Sequence, residues 1–77
     1  MKIDFELKKR IGALSNHDGY TKELNLVEWD GKYLKYDVRL WMPDGKPSKG
    51  ITLTKAEAKE LHRLLGQELE GLAREGK

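Results

Sequence analysis

At 77 residues and 8.9 kDa the chain has room for one domain, and a domain of that size buries only ~60% of its unfolded surface, so it is marginal unless stapled or associated. It has no cysteine and only two histidines, His17 and His62, which excludes disulfides, thiolate metal sites and a structural zinc. Fifteen basic residues against thirteen acidic ones leave +2, and the whole excess lies in residues 1–53, with ten basic and eight acidic side chains; a polyanionic partner is permitted but not demanded.

No apolar run approaches the ~18 residues of a membrane span, and no signal-peptide pattern opens the chain. The chain therefore reads as soluble and intracellular. Its first 53 residues alternate with period two. In Ile3-Asp4-Phe5-Glu6-Leu7-Lys8 the apolar side chains take odd positions, and Ile11 and Ala13 continue that phase, as in a half-buried strand. Ser15-Asn16-His17-Asp18-Gly19 is turn chemistry. A second strand spans about Tyr20 to Trp29, with Leu24 and Leu26 on one face and Glu23, Asn25, Val27 and Trp29 on the other. Asp30-Gly31 signals a two-residue hairpin.

A third strand spans about Tyr33 to Met42. Leu34, Tyr36, Val38 and Leu40 share one face; Lys35, Asp37, Arg39 and Trp41 share the other. Pro43, Pro47 and Asp44-Gly45-Lys46 mark residues 42–49 as a loop, and Gly50-Ile51-Thr52-Leu53 as a short fourth strand. Thr54 and Glu57 then fit a capping box. Ala58, Leu61, Leu65, Leu69 and Leu72, with Leu64 beside them, form an apolar stripe at helical spacing. The expected fold is α+β: one domain over residues 1–77, a four-stranded antiparallel sheet at about 3–53 followed by one C-terminal helix at about 55–74. Leu34-Tyr36-Val38-Leu40 is the expected core phase beneath the helix, and the opposite face is expected to be open.

That open face carries the informative residues. Trp29 and Trp41 fall out of phase with the core, together with Lys35 and Arg39. Unpaired bases stack on aromatic faces at ~1–3 kcal/mol each while cations follow the phosphates. Duplex DNA hides its base faces, so the pattern suits single strands. The bland alternatives are tryptophans that lid a core or make a dimer contact, and an Arg39–Asp37 surface ion pair of little worth. Tyr20, Lys22 and Lys8-Lys9-Arg10 are lesser candidates at or near the edge of the same surface. No triad, phosphate loop or metal cluster is present, so no enzyme and no cofactor are expected. A helix of ~30 Å overhangs a small sheet, and the distal leucines Leu65, Leu69 and Leu72 are expected to pack on a second copy.

The sequence resembles the positive cofactor 4 transcriptional coactivator family, more closely its small bacterial YdbC-type members. The resemblance covers about Gly19 to Leu65. It rests on Lys22-Glu23-Leu24-Asn25, on Lys35-Tyr36-Asp37-Val38-Arg39 with Trp41 and Pro43-Asp44, and on Lys49-Gly50-Ile51-Thr52-Leu53. It implies a curved ββββα sheet-and-helix unit, a homodimer paired through the helices and sheet edges, and binding of single-stranded DNA with little sequence preference. Carried over by position, Trp29 matches a stacking aromatic, Lys32 a basic turn residue, Arg39 the strand arginine and Lys49 the basic residue before the fourth strand. The eukaryotic members have one more residue between the arginine and their tryptophan, and a Ser- and Lys-rich tail that is absent here, so a coactivator role does not follow with the fold.

The leading expectation is a non-enzymatic module that binds single-stranded nucleic acid through Trp29, Lys32, Lys35, Arg39, Trp41, Lys49, Lys22 and Tyr20, serving DNA transactions or transcription regulation. The expected compartment is the cytoplasm of a bacterium, nucleoid-associated at most. No residue addresses the 2′-hydroxyl, so DNA and RNA are not separated. The alternative is a protein-interaction module using the same aromatic face. A duplex-binding regulator is disfavoured because its only helix serves packing.

Overall fold

The computed structural model describes residues 5–74; Ile3, Asp4 and Gly76, to which the alternation and the helix end were assigned, lie outside the described residues. Four strands, β1 (Phe5–His17), β2 (Tyr20–Trp29), β3 (Tyr33–Trp41) and β4 (Pro47–Leu53), precede one helix, α1 (Lys55–Arg74). The strands form a single antiparallel sheet in the order β1-β2-β3-β4. The β2 bounds and the helix bounds coincide with those read from periodicity. The helix begins as a capping box: the Glu57 amide donates to Thr54 Oγ1 at 3.1 Å, and the Thr54 amide donates to Glu57 Oε1 at 2.8 Å. Both bonds satisfy amides that have no partner within the helix. Thr54→Ala is expected to remove about 1 kcal/mol, read as a lower urea midpoint and a loss of helical ellipticity.

Two strand boundaries differ from the expectation. β1 runs on through Ser15-Asn16-His17, so the turn shrinks to Asp18 and Gly19, with φ of 54° and 87°. β4 begins at Pro47 rather than Gly50 and pairs there with Trp41. The β2–β3 connection is three residues long, since Trp29 pairs with Tyr33; Asp30 and Gly31 both take positive φ, and the Lys32 amide closes the turn on the Trp29 carbonyl at 3.0 Å.

The single phase expected along β1 is also broken. Its pairing with β2 slips between Leu7 and Lys9, between Arg10 and Gly12, and between Ala13 and Ser15. Each slip is a bulge, at Lys8, Ile11 and Leu14. A bulged residue shifts side-chain parity by one and adds local twist, so β1 changes face three times and coils as it goes.

The coiling is measurable across the sheet. Arg39 pairs with Glu23, whereas Phe5 pairs with Trp29. Those two rows are six residues apart along β2, about 20 Å on a flat sheet. Yet the Arg39 guanidinium carbon lies 5.9 Å from the centre of the Phe5 ring. Opposite corners of one face therefore meet, and that face is concave.

This inverts the expected core. The helix side of the sheet, with Leu24, Tyr36, Val38 and Leu53, meets Ala58, Leu61, His62 and Leu65 of α1 around a hollow of about 330 Å³. Leu34 on that side remains 56% exposed, Ile51 57% exposed, and no residue of α1 is buried. The fully buried side chains among the described residues are Val27, Asn25 and Asp37, with Glu23 nearly so, and all four lie on the concave, tryptophan-bearing face. Alternation gave the correct parity of β2 and β3; curvature decided which parity is enclosed.

Candidate nucleic-acid interface

The concave face is organised by two polar clusters. At its centre Asp37 is completely buried and Arg39 grips it with a fork: Nε donates to Oδ2 at 3.0 Å and Nη2 to Oδ1 at 2.8 Å. The third guanidinium nitrogen, Nη1, donates to the Ser48 carbonyl at 2.7 Å, tying β4 to β3. The reading of this pair as a weak surface ion pair is thus corrected: only 18% of the Arg39 side chain is exposed, and a bidentate guanidinium–carboxylate pair in such surroundings is strongly held.

The backbone around Arg39 is shaped for this contact. Gly50 pairs with Arg39, and a Cβ at Gly50 would stand 2.5 Å from the Val38 carbonyl oxygen and 2.7 Å from Arg39 Cα. β4 approaches β3 closely here because residue 50 has no side chain.

The second cluster surrounds Glu23. Its carboxylate accepts from Thr21 Oγ1 at 2.9 Å and from Asn25 Nδ2 at 3.2 Å, and Arg10 Nε lies 3.9 Å away. Asn25 in turn accepts from the Ile11 amide at 3.3 Å, so a buried side-chain amide satisfies the amide at the second bulge of β1. Burial is the largest single influence on Glu23 and opposes its charge, but the hydrogen bonds from Asn25 and Thr21 and the Arg10 charge together outweigh it and hold its pKa below the ordinary 4.5. A group with a depressed folded pKa stabilises the fold above its unfolded value and loses that contribution as pH falls through the folded one. The urea midpoint is therefore expected to drop more steeply below pH 4.5 in the native chain than in Glu23→Gln; parallel pH profiles would contradict this account.

Aromatic side chains border these clusters. Phe5 and Trp29 meet edge-on, with ring centres 5.0 Å apart and planes at 65°. Trp41 pairs with Thr21 on one side and Pro47 on the other. Both tryptophans are half-buried, and the Nε1 atom of each is enclosed without a hydrogen-bond acceptor.

The eight residues singled out from the sequence separate into groups. Trp29, Lys35, Arg39 and Trp41 share the concave face, away from α1. Lys22 pairs with Leu40 and lines a hollow of about 450 Å³ with Val38, Ile51 and Lys49, on the helix side. Tyr20 is in the phase of Lys22, so neither borders the tryptophan surface as expected. Lys32 is exposed at the β2–β3 turn. Of the basic run, Arg10 pairs with Asn25 and joins the concave face, Lys9 pairs with Leu26 on the helix side, and Lys8 sits 3.6 Å from both Glu6 and Glu28. Sequence reasoning passed over Phe5, Glu23, Asn25 and Gly50. A polar Glu-x-Asn in phase with a tryptophan, on a strand of otherwise strong β formers, was the available signal for the second cluster.

Among the described residues no group of three or more His, Asp or Glu side chains could hold a metal ion, and no helix is long and apolar enough to cross a membrane. Comparison with known proteins places residues 16–64 in register with the family described as Transcriptional Coactivator p15 (PC4). The chain is also 43% identical over 63 residues to an uncharacterised protein of Treponema pallidum (strain Nichols), a match that covers 79% of this chain and 74% of that protein.

Proposed function

Because the chain belongs to the family of the transcriptional coactivator p15, PC4, which suggests a single-stranded-DNA-binding and coactivator-like role, we propose that it is a dimeric, non-enzymatic module for single-stranded DNA. The observation that carries this reading is the placement of Phe5, Trp29 and Trp41 on one concave face with Lys35 and Arg10, opposite α1. Aromatic edges and faces receive unstacked bases, and flanking cations follow the phosphates. Arg39 has a different part. All three of its nitrogens are engaged within the chain, so it shapes the floor of the surface while Lys32, Lys35 and Arg10 supply the mobile charge. Lys22 and Lys49 would reach a strand only where it wraps around the β4 edge.

The dimer rests on a separate observation. The chain has a radius of gyration of 14.8 Å, against about 11 Å for a compact chain of this length. Leu61, Leu64, Leu65, Leu69 and Leu72 are each 40–57% exposed along one helix, and Leu34 and Ile51 extend the apolar surface on the sheet. A second copy is the partner that presents a self-complementary stripe.

Fluorescence anisotropy with a labelled dT 20-mer tests the first part, and sedimentation the second. The full chain is expected to bind dT at low salt, with an affinity that falls by ~0.7 log units per log unit of salt for each phosphate neutralised. Duplex of the same length should bind far more weakly. Lys32→Glu combined with Lys35→Glu should lower affinity on the order of ten-fold or more and flatten the salt slope. Absence of dT binding at low salt overturns the reading; an rU 20-mer measured in parallel decides whether RNA is taken as well. Sedimentation is expected to give twice 8.9 kDa, and Leu65→Glu to give the single-chain mass. A native chain that sediments as one copy at micromolar concentration refutes the dimer.

A further inference from the structure

We infer that Phe5 is a base-contacting residue, closing with Trp29, Arg39 and Pro47 a subsite for one unstacked nucleobase; this rests on the single-strand reading above and specifies where on the concave face a base is held. These four residues come from β1, β2, β3 and β4 in turn and line one depression of about 180 Å³. Pockets for drug-sized ligands run to ~300–1,000 Å³, so this one accommodates a single ring system. Its walls suit a flat, π-rich guest. Phe5 meets Trp29 edge-on at 5.0 Å, and the Arg39 guanidinium stands 5.9 Å from the Phe5 ring centre.

Asp37 and Ser48 engage three of the five N–H groups of Arg39 and hold its guanidinium in one position. What it offers is a fixed, flat cation on which a base can lie. Pro47 has no amide hydrogen, so its edge of the pocket is apolar. The phosphates must then pass outside the depression, past Lys35 and Lys32, because the centre of the face holds two carboxylates, Glu23 and Asp37.

Phe5 is the sole phenylalanine of the chain, which permits a test without mutation. The full chain labelled with 4-fluorophenylalanine carries one fluorine, and its ¹⁹F resonance is followed during titration with a dT 20-mer and with an abasic deoxyribose-phosphate 20-mer, anisotropy reporting binding in both. The expected result is a saturable shift with dT, at the midpoint given by anisotropy, and no shift with the abasic strand even where it binds through its phosphates. Phe5→Leu should weaken dT binding on the order of ten-fold and leave binding of the abasic strand unchanged. If dT binds and the resonance stays put, or if the abasic strand moves it equally, the base subsite is overturned and the single-strand reading stands. If dT does not bind at all, both fall together. Should Phe5→Leu fail to fold, the fluorine titration decides alone.

Discussion

Replacing Asp37 by alanine is expected to lower the unfolding free energy by about 3–5 kcal/mol, a large share of the stability of any small domain. The reason lies in what is left behind. Arg39 is held at all three nitrogens, and Asp37 supplies two of the three bonds from a fully buried position. Without the carboxylate, a guanidinium only 18% exposed keeps one neutral acceptor and loses its counter-charge. Urea unfolding followed by tryptophan emission measures the effect, and Asp37→Asn separates charge from shape: it retains the volume but not the fork, and should still lose most of the difference. A shift below about 1 kcal/mol for Asp37→Ala, the size expected of an exposed pair, would show that the pair is peripheral. The prediction also bears on how binding is probed. Arg39→Ala breaks the same pair from the other side, so lost DNA binding in that variant reports a damaged scaffold. Lys32 and Lys35 are the positions where substitution separates binding from folding.

Gly50→Ala is expected to be nearly as damaging. The new methyl would lie 2.5 Å from the Val38 carbonyl oxygen and 2.7 Å from both Cα and Cβ of Arg39, distances at which backbone must move. Overpacking of this kind costs about 1–3 kcal/mol. Here it also pushes β4 away from the strand that Arg39 ties through the Ser48 carbonyl. Thermal unfolding and amide exchange at Ile51 and Thr52 would register the loss. Gly12→Ala provides the control, since nothing stands within 4 Å of a Cβ at that position; its effect should stay within about 0.5 kcal/mol. Equal effects for the two substitutions would mean that β4 can shift freely and that the close crossing matters little.

These two sites show where the amino-acid sequence was legible. The Thr54–Glu57 box and the strict alternation of β2 and β3 are local rules that produced the elements they announced, and turn chemistry at Asp30-Gly31 announced a hairpin that forms with three loop residues rather than two. The parity that set Trp29, Lys35, Arg39 and Trp41 together is equally local. The burial of Asp37 and Asn25 is not. It arises because the sheet coils until the Phe5 corner meets Arg39, and coiling is a property of pairing between strands. The bulges at Lys8, Ile11 and Leu14 are set by how β1 meets β2, so Ile11 and Ala13, which continue one phase on paper, do not share a row of the sheet: Ile11 is unpaired at a bulge and Ala13 pairs with Glu23. Lys22 and Tyr20 were drawn toward the tryptophan surface by proximity in the chain, although their even positions set them opposite. Asp37 and Arg39, two residues apart on one strand face, were readable as neighbours; that they anchor the interior depends on Gly50 letting β4 pass above them.

The bulged strand has a consequence for solubility. β1 lies at the rim of the sheet, and a long regular rim strand offers unpaired amides and carbonyls to any other extended chain. With its hydrogen-bonding pattern interrupted every three residues and Lys8, Lys9 and Arg10 concentrated along it, β1 is a poor template for intermolecular strand addition. Deleting Ile11, which would restore regular pairing through the middle of the strand, should favour end-to-end growth of sheets, and the deletion variant should gain thioflavin-positive aggregates on storage where the native chain stays clear.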